Sequence, residues 1–258
     1  MLASTSAFAV DVPQGPGPIP LAGDSNAGGV ILAAWDEVRG ISVTQYLNLR
    51  MDQIQVGQLT PNDGLVLDFG IVNLSAFGGN TSGVIYNVEA GDYFGDNPSL
   101  WQVSFTGGLD QQTVGGSNGD GTANALGNLN TFQRFVNGAC GTTVPCVATT
   151  ASDPQYAGGL SHGHTGGGGN LPFDTTGAIG SALSFWTLTS TSDLGGDPAT
   201  LTRYENANGI GQWLLGTDGH LTYSIASSPV PLPAAVWLLI SGLGGLGIIG
   251  RRKNKAVA

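Results

Sequence analysis

Short runs rich in Val, Ile, Thr and aromatic residues recur along most of this chain, with Gly, Asp and Asn between them. The runs read GGVILAAWD, ISVTQYLNL, GLVLDFGIV, SGVIYNVEA, SLWQVSFTG, ALSFWTLTS, ATLTRYEN and QWLLGTDGHLTYSIA. β-Branched and aromatic residues bounded by turn formers are typical of strands. The pattern therefore predicts a mainly β protein with eight or more strands.

The composition agrees with a loop-rich β protein. The 258 residues include 43 Gly, and only 10% are charged, which argues against a helical bundle and against the highly charged type of disorder. Residues 30–228 fit a single jelly-roll-like β-sandwich with long Gly-rich loops, since all-β domains often reach that size. Residues 10–29 are rich in Pro and Gly and are expected to be a loosely attached leading segment.

Two local signals refine this picture. Asp218-Gly219 lies between two alternating runs and predicts a hairpin with a two-residue turn, in which both residues have positive φ. One helix is predicted within NALGNLNTFQRFVNG, because Leu126, Leu129 and Phe132 have roughly helical spacing before Gly138.

The C-terminal segment, VPLPAAVWLLISGLGGLGIIGRRKNKAVA, differs from everything before it. Residues 234–250 carry no charge and as a helix would extend about 25 Å, near the lower limit for a hydrocarbon core of roughly 30 Å. Arg251, Arg252, Lys253 and Lys255 follow, and such basic clusters remain on the cytoplasmic side. The pattern predicts a C-terminal transmembrane helix with the body on the opposite side of the membrane.

Two prolines precede this apolar run. Pro231 and Pro233 each disfavour helix in the preceding residue, so the strip around them is expected to be extended and accessible to proteases. The alternatives are a permanent anchor and a buried core helix with a basic cap, although the glycines of the run would weaken a soluble helix.

Val230, Pro231, Leu232, Pro233 and Ala234, with the Gly-rich apolar run and the Arg cluster behind them, resemble the VPLPA variant of the PEP-CTERM sorting signal. Leu232 stands where the name-giving motif has Glu. The resemblance implies that an exosortase, an integral-membrane enzyme similar to a cysteine transpeptidase, removes the tail during sorting. It implies a Gram-negative cell, a transient inner-membrane anchor with the body in the periplasm, and a final place at the cell surface or in the extracellular matrix. A link to exopolysaccharide and biofilm is implied in the same way.

The body resembles other proteins of this kind in two places. GDSNAGGVILAAWDEVRGISVTQYLNL and GQWLLGTDGHLTYSIASSPVPLPAA are similar to the opening and closing strands of short exported exosortase substrates. That type has no assigned activity, so the resemblance transfers no catalytic residue.

The N-terminus, MLASTSAFAVDVP, resembles the end of an export signal. Ala7 and Ala9 flank Phe8 in the A-x-A arrangement that signal peptidase accepts, which predicts cleavage after Ala9 and export through the Sec translocon. No basic region precedes the site, so Met1 is interpreted as an internal Met of a longer signal peptide. An ordinary disordered N-terminus is the alternative.

Charge is distributed unevenly along the chain. There are 8 basic and 18 acidic residues, and segment 230–258 holds four of the basic residues and no acidic one, so that residues 1–229 carry a net charge of −14. Such a surface should repel nucleic acid and anionic lipid, while its carboxylates could attract divalent cations.

The two cysteines, Cys140 and Cys146, lie in GACGTTVPCVA. In an exported chain an even count and a short spacing predict a disulfide. A metal-binding pair is the alternative, but no His neighbours the cysteines and no second pair is present.

The sequence does not favour an enzyme. Nucleophilic hydrolysis needs a base oriented towards Ser or Cys, and the three His are His162 and His164 in GLSHGHTGGGGN and His220 beside the predicted turn. Ser161 and His162 would point to opposite faces of an extended chain. His162 and His164 would share a face, which leaves a metal site and a glycine loop as the two interpretations.

A secreted lectin-like module, binding carbohydrate or calcium, is the alternative to a non-catalytic structural role. Trp35, Trp101, Trp186 and Trp213 could form a sugar-stacking platform, whereas Trp on strands more often belongs to the core. We expect the rings to be core.

Calcium is the cofactor for which the sequence offers candidate oxygen ligands. Asn118, Asp120 and Asn124 could supply oxygen ligands, but their run lacks the spacing of a known calcium loop and favours a solvated turn. We therefore expect no metal, no catalytic residue and no nucleic-acid partner.

Overall fold

The computed structural model describes residues 9–11, 28–50, 66–94, 100–108, 119–141, 143, 145–159, 175–191, 197–206 and 209–227. The chain divides into two compact units, Met1–Ala226 and Ser227–Ala258. The predicted transmembrane helix at 234–250 lies outside the described residues. None of the described helices has the length and apolar character needed to span a membrane.

The described part of the protein is mainly β, as the sequence predicts. One α-helix, α1, spans Gly119–Cys140, and a turn of 3-10 helix spans Ser75–Phe77. The strands are β1 (Ala9–Asp11), β2 (Gly29–Asp36), β3 (Ile41–Arg50), β4 (Val66–Ile71), β5 (Ile85–Phe94), β6 (Leu100–Gly107), β7 (Cys146–Ala148), β8 (Gly177–Ala178), β9 (Ala182–Ser190), β10 (Thr200–Arg203), β11 (Glu205–Asn206), β12 (Gly209–Leu215) and β13 (His220–Ser227).

All of these strands belong to one curled sheet. Its order is β1-β4-β13-β12-β9-β6-β5-β2-β3-β7, with β8 attached to β5, β10 to β9 and β11 to β12. The pairs whose register is described are antiparallel except for β1 and β4, which run parallel. The sheet forms a half-barrel, so strands far apart in this order face each other across a common core.

The inner core lies inside the curl. Phe69 of β4, Trp213 of β12 and Tyr223 of β13 belong to the same buried cluster as Leu32 of β2 and Val88 of β5. The ring centroids of Phe69 and Trp213 are 5.0 Å apart, as are those of Trp213 and Tyr223. Aromatic pairs at this separation add to the free energy of burial, so β4, β12 and β13 are held together by large side chains that share one buried cluster with β2 and β5.

The outer face of the sheet is covered by α1. Leu126, Leu129, Phe132 and Val136 recur at helical spacing and are buried against β5, β6, β7 and β9. Gly91 of β5 permits this close approach, since a Cβ at that position would overlap Leu126 Cδ1. The predicted helix is therefore confirmed, and its apolar stripe forms the second layer of the body.

Strand β2 lies between the two cores, which explains its continuous apolar sequence. All eight of its residues are buried. Alternate side chains face the inner cluster (Val30, Leu32, Ala34) and the outer cluster (Ile31, Ala33, Trp35).

Helix α1 is longer than the sequence predicts. It begins at Gly119 and passes through Gly138 before it ends at Cys140. Gly141 follows with a φ of 58° and donates its N–H to Asn137 O at 2.9 Å, as a residue that ends a helix in the left-handed conformation does. Gly138 is an open position, because a Cβ there would meet no atom within 4 Å.

The N-terminal end of the chain adds one short strand. Ala9–Asp11, where cleavage and a loose leading segment are expected from the sequence, form β1 and pair in parallel with Val66–Asp68 of β4. Pairing at a sheet edge uses main-chain groups, so it needs no alternating sequence pattern.

Candidate functional site

The Trp rings that could have formed a sugar platform lie in the core. Trp35 and Trp213 are each 1% exposed and Trp186 is 8% exposed. The prediction that they are core residues is confirmed for these three. Trp101 lies in β6, but its side chain is outside the described residues.

The predicted disulfide is confirmed. Cys140 at the end of α1 is bonded to Cys146 at the start of β7, with their Cα atoms 5.5 Å apart. Cys146 is buried in the outer core. The bridge therefore fastens the end of the covering helix to the strand that borders β3.

The weak calcium candidates do not lie on a described loop. Asp120 and Asn124 belong to the first turns of α1, whereas the sequence favours a turn there. Asn118 lies outside the described residues, as do His162 and His164. Among the residues that the structure describes, no group of three or more His, Cys, Asp and Glu side chains is placed to hold a metal ion.

The sorting residues Val230–Ala234 and the basic cluster at 251–255 also lie outside the described residues, and so does Ala7 of the expected signal-peptidase site. Ala9 is the first residue of β1. These assignments stay predictions.

One cleft of about 360 Å³ lies where the loop after β4 meets the turn between β12 and β13. We call it the hairpin cleft. It is lined by Ile71, Val72, Asn73, Leu74, Ser75, Gly79, Thr81, Thr217, Asp218 and Gly219. Its volume falls at the lower end of the range of small-molecule sites.

The turn that forms one wall differs from the predicted one. The hairpin at Asp218-Gly219 is confirmed, but Gly219 N–H donates to Gly216 O at 2.9 Å, and Gly216 N–H donates to His220 O at 2.8 Å. Only Gly219, with a φ of 88°, has positive φ among the turn residues. The connection is therefore a longer turn with one left-handed Gly.

The two walls are joined through the main chain. Val72 N–H donates to Gly219 O at 2.9 Å, and a Cβ on Gly219 would lie 2.9 Å from Val72 O. Beyond Val72, the Asn73 side chain accepts from Ser75 N–H at 3.0 Å. Main-chain hydrogen bonding thus joins the turn at 216–219 to the segment after β4.

Arg39 fixes the 3-10 turn behind the cleft. Its guanidinium donates to Phe77 O at 2.7 Å and to Asn80 O at 2.8 Å, and its Nε donates to Asp36 Oδ2 at 2.7 Å. The Arg39 backbone N–H, which also donates to Asp36, and then the guanidinium hold the pKa of the Asp36 carboxyl below its ordinary value. Asp36 therefore holds the Arg39 guanidinium in place, and the guanidinium orders the loop that carries Gly79 and Thr81 through its bonds to Phe77 O and Asn80 O.

The polar residues described in the lining of the cleft are uncharged apart from Asp218. Ser75, Thr217 and Asp218 are exposed, and Asp218 Oδ1 accepts from His220 N–H at 3.1 Å. Ile71 provides an apolar wall that is 66% exposed. The cleft can therefore offer hydroxyl groups, a carboxylate oxygen and an apolar surface to one small ligand.

His220 lies next to the cleft and is paired with a carboxylate. Its Nδ1 is 3.4 Å from Asp68 Oδ1, which also accepts from Gly70 N–H at 2.7 Å. No hydroxyl or thiol of the described residues is hydrogen-bonded to the imidazole. Among the described residues the imidazole therefore has a carboxylate partner and no hydroxyl or thiol partner.

Two buried tyrosines of the inner core, Tyr86 and Tyr204, stay neutral. Tyr86 Oη donates to Ser181 O at 2.6 Å, and Tyr204 Oη is hydrogen-bonded to Ser104 Oγ at 3.1 Å. Burial raises the pKa of Tyr204 to about 12. These phenols are structural hydrogen-bonding groups.

Comparison with known proteins gives no relative. No family model, no curated protein and no solved structure matches this chain.

Proposed function

We propose that this chain is an exported protein of a Gram-negative bacterium that an exosortase sorts to the cell surface or extracellular matrix, where its body has a non-catalytic structural role linked to exopolysaccharide and biofilm. The observation that carries the proposal is the order of three features in the tail. The VPLPA strip occupies residues 230–234. Its Ala234 is also the first of the seventeen uncharged residues at 234–250, and four basic residues follow within 251–255.

The body supports export. The bond between Cys140 and Cys146 fits an oxidising compartment such as the periplasm or the cell exterior. We further propose that the curled sheet is a jelly-roll-like sandwich whose arms, β2-β3-β5 and β4-β13-β12, enclose the inner core. The tail would then follow β13 as a transmembrane helix until it is removed.

A structural role fits the way in which the body uses its polar and aromatic side chains. Trp35 and Trp213 are core residues, and Arg39 and Tyr86 bind main-chain carbonyl groups. Each of these groups stabilises the fold, and none of them lines the hairpin cleft.

Mass spectrometry of the protein recovered from the cell surface or the medium tests the sorting step. The mature chain should lack residues 1–9 and should end near Val230–Ala234. Substitution of both Pro231 and Pro233 by Gly should leave the tail in place, because it removes the restriction that keeps the strip extended.

The matched control replaces Pro16 and Pro18, which have the same spacing in the leading segment, by Gly. That variant should be processed normally. A wild-type chain that still ends at Ala258 at the cell surface would contradict sorting and indicate a permanent anchor.

A further inference from the structure

We propose that the hairpin cleft binds one unit of a neutral saccharide, so that the body contacts matrix polysaccharide at the tip of its β12-β13 hairpin. The proposal rests on the proposed function only in naming the matrix as the source of the saccharide. It differs from a platform of Trp rings, because Trp35, Trp186 and Trp213 are buried elsewhere.

The cleft is formed before any ligand arrives. One wall is the turn at 216–219, joined to Val72 by the bond from Val72 N–H to Gly219 O. The other wall follows the 3-10 turn that Arg39 holds through Phe77 O and Asn80 O. Binding to such a site orders few groups, so weak individual contacts are not cancelled by the cost of ordering a loop.

The chemistry of the lining suits a sugar ring. A pyranose presents hydroxyl groups around its edge and C–H groups on its faces. The exposed hydroxyls of Ser75 and Thr217 can donate or accept, the Asp218 carboxylate can accept, and Ile71 offers an apolar surface to the C–H face. Small-molecule sites generally combine an apolar wall with a few convergent polar groups in this way.

Charge selects against anionic small ligands, and the number of oxygen ligands selects against calcium. None of the described residues that line the cleft is Lys or Arg, and residues 1–229 carry a net charge of −14, so phosphates, sulfates and uronic acids would be repelled. Calcium requires six to eight oxygen ligands, whereas the lining contributes a single carboxylate, Asp218. An uncharged, hydroxyl-rich ligand is neither repelled by this charge nor dependent on further carboxylates.

The position of the cleft suits contact with an external polymer. It adjoins the start of β13 at His220, and the body ends at Ala226 near the other end of the same strand. The six steps between these residues span about 20 Å in a β-strand. The cleft therefore lies at the opposite end of β13 from Ala226.

Titration of the full chain with neutral oligosaccharides tests this assignment. The protein is kept in a zwitterionic detergent that contains no sugar, and the probes are glucose, galactose and mannose oligomers of two to six units. We expect saturable shifts of the amide resonances of Ser75, Thr217 and Gly219 in NMR spectra with at least one of the three sugars. Added EDTA should not change the affinity.

Two variants identify the contacts. Thr217→Val removes one hydroxyl at constant shape, and Ile71→Ser removes the exposed apolar wall; each should weaken binding by about tenfold, the effect of one lost contact of about 1.4 kcal/mol. Val38→Ser is the control, because Val38 is 96% exposed and lies outside the cleft. It should bind as the wild type does.

Three outcomes would overturn the assignment: no saturable shift with any oligomer, shifts located away from the cleft, or unchanged binding by both cleft variants. Binding that EDTA abolishes would also overturn it, in favour of a metal site. Sorting is measured separately by the mass of the processed chain, so either proposal can fail while the other holds.

Discussion

Gly219 determines the shape of the cleft through its own backbone. Its φ of 88° is a conformation that side chains disfavour, and a Cβ there would lie 2.9 Å from Val72 O. Gly219→Ala should therefore lower the free energy of unfolding by roughly 1–2 kcal/mol for the left-handed backbone and by a further 1–3 kcal/mol, roughly, for the steric overlap. Urea denaturation measures both contributions together.

Gly79→Ala is the matched control for that change. Gly79 lines the same cleft and has a φ of 76°, but a Cβ there would meet nothing within 4 Å. The free energy of unfolding of Gly79→Ala should fall only by the backbone contribution of roughly 1–2 kcal/mol. Equal losses in the two variants would show that the contact between Gly219 and Val72 does not constrain the turn.

Single residues show what the sequence could and could not predict. Trp35 and Trp213 are predicted as core from residue type alone, because a ring of that size on a strand is seldom left in water. The hairpin cleft could not be predicted, since Ile71 and Thr217 belong to distant segments that meet only when β4 pairs with β13. The Asp218-Gly219 signal located the turn but not the surface beside it.

At the scale of elements, local pattern predicted the long strands well. Run 182–190 coincides with β9, and run 28–36 contains β2 and extends one residue before it, because both are rich in apolar and aromatic residues between turn formers. The short strands β7 and β8 have no such pattern, since strands of two or three residues depend on a partner already in place. Run 199–206 contains both β10 and β11. The strand order depends on non-local pairing, which propensity does not encode.

The disulfide is a covalent link between two elements, because it joins α1 to β7. Closing a seven-residue loop contributes roughly 2 kcal/mol in the chain-entropy model. Replacement of both Cys140 and Cys146 by Ala should lower the free energy of unfolding by about that amount. Denaturation of the oxidised and reduced wild type and of the variant measures it.

Reducing agent serves as the control in that experiment. It should destabilise the wild type and leave the double variant unchanged, and thiol labelling of the denatured, unreduced wild type should give no signal. Two labelled cysteines in protein recovered from the cell surface would contradict the bridge in the cell.

At the scale of the whole molecule, the buried apolar side chains and the net charge have opposite effects on the stability of the folded body. The two cores and the covering helix bury the large apolar side chains, whereas a net charge of −14 on residues 1–229 repels itself in the compact state. The same charge keeps the body soluble and away from anionic polymers, in accord with a neutral saccharide as its partner.

The response to ions separates this diffuse charge from a calcium site. If the acidic residues are scattered, then NaCl, MgCl₂ and CaCl₂ at equal ionic strength should raise the melting temperature by the same small amount, because each acts by screening. A specific site filled at 100 times its dissociation constant would instead add about 2.7 kcal/mol. For a domain of this size that corresponds to a rise of several degrees, at roughly 2–4 °C per kcal/mol. We expect equal, small shifts in differential scanning calorimetry, and the same shifts for Asp120→Ala. A larger rise with CaCl₂ alone, lost in Asp120→Ala, would show that the first turns of α1 bind calcium and that the body is a calcium-binding module.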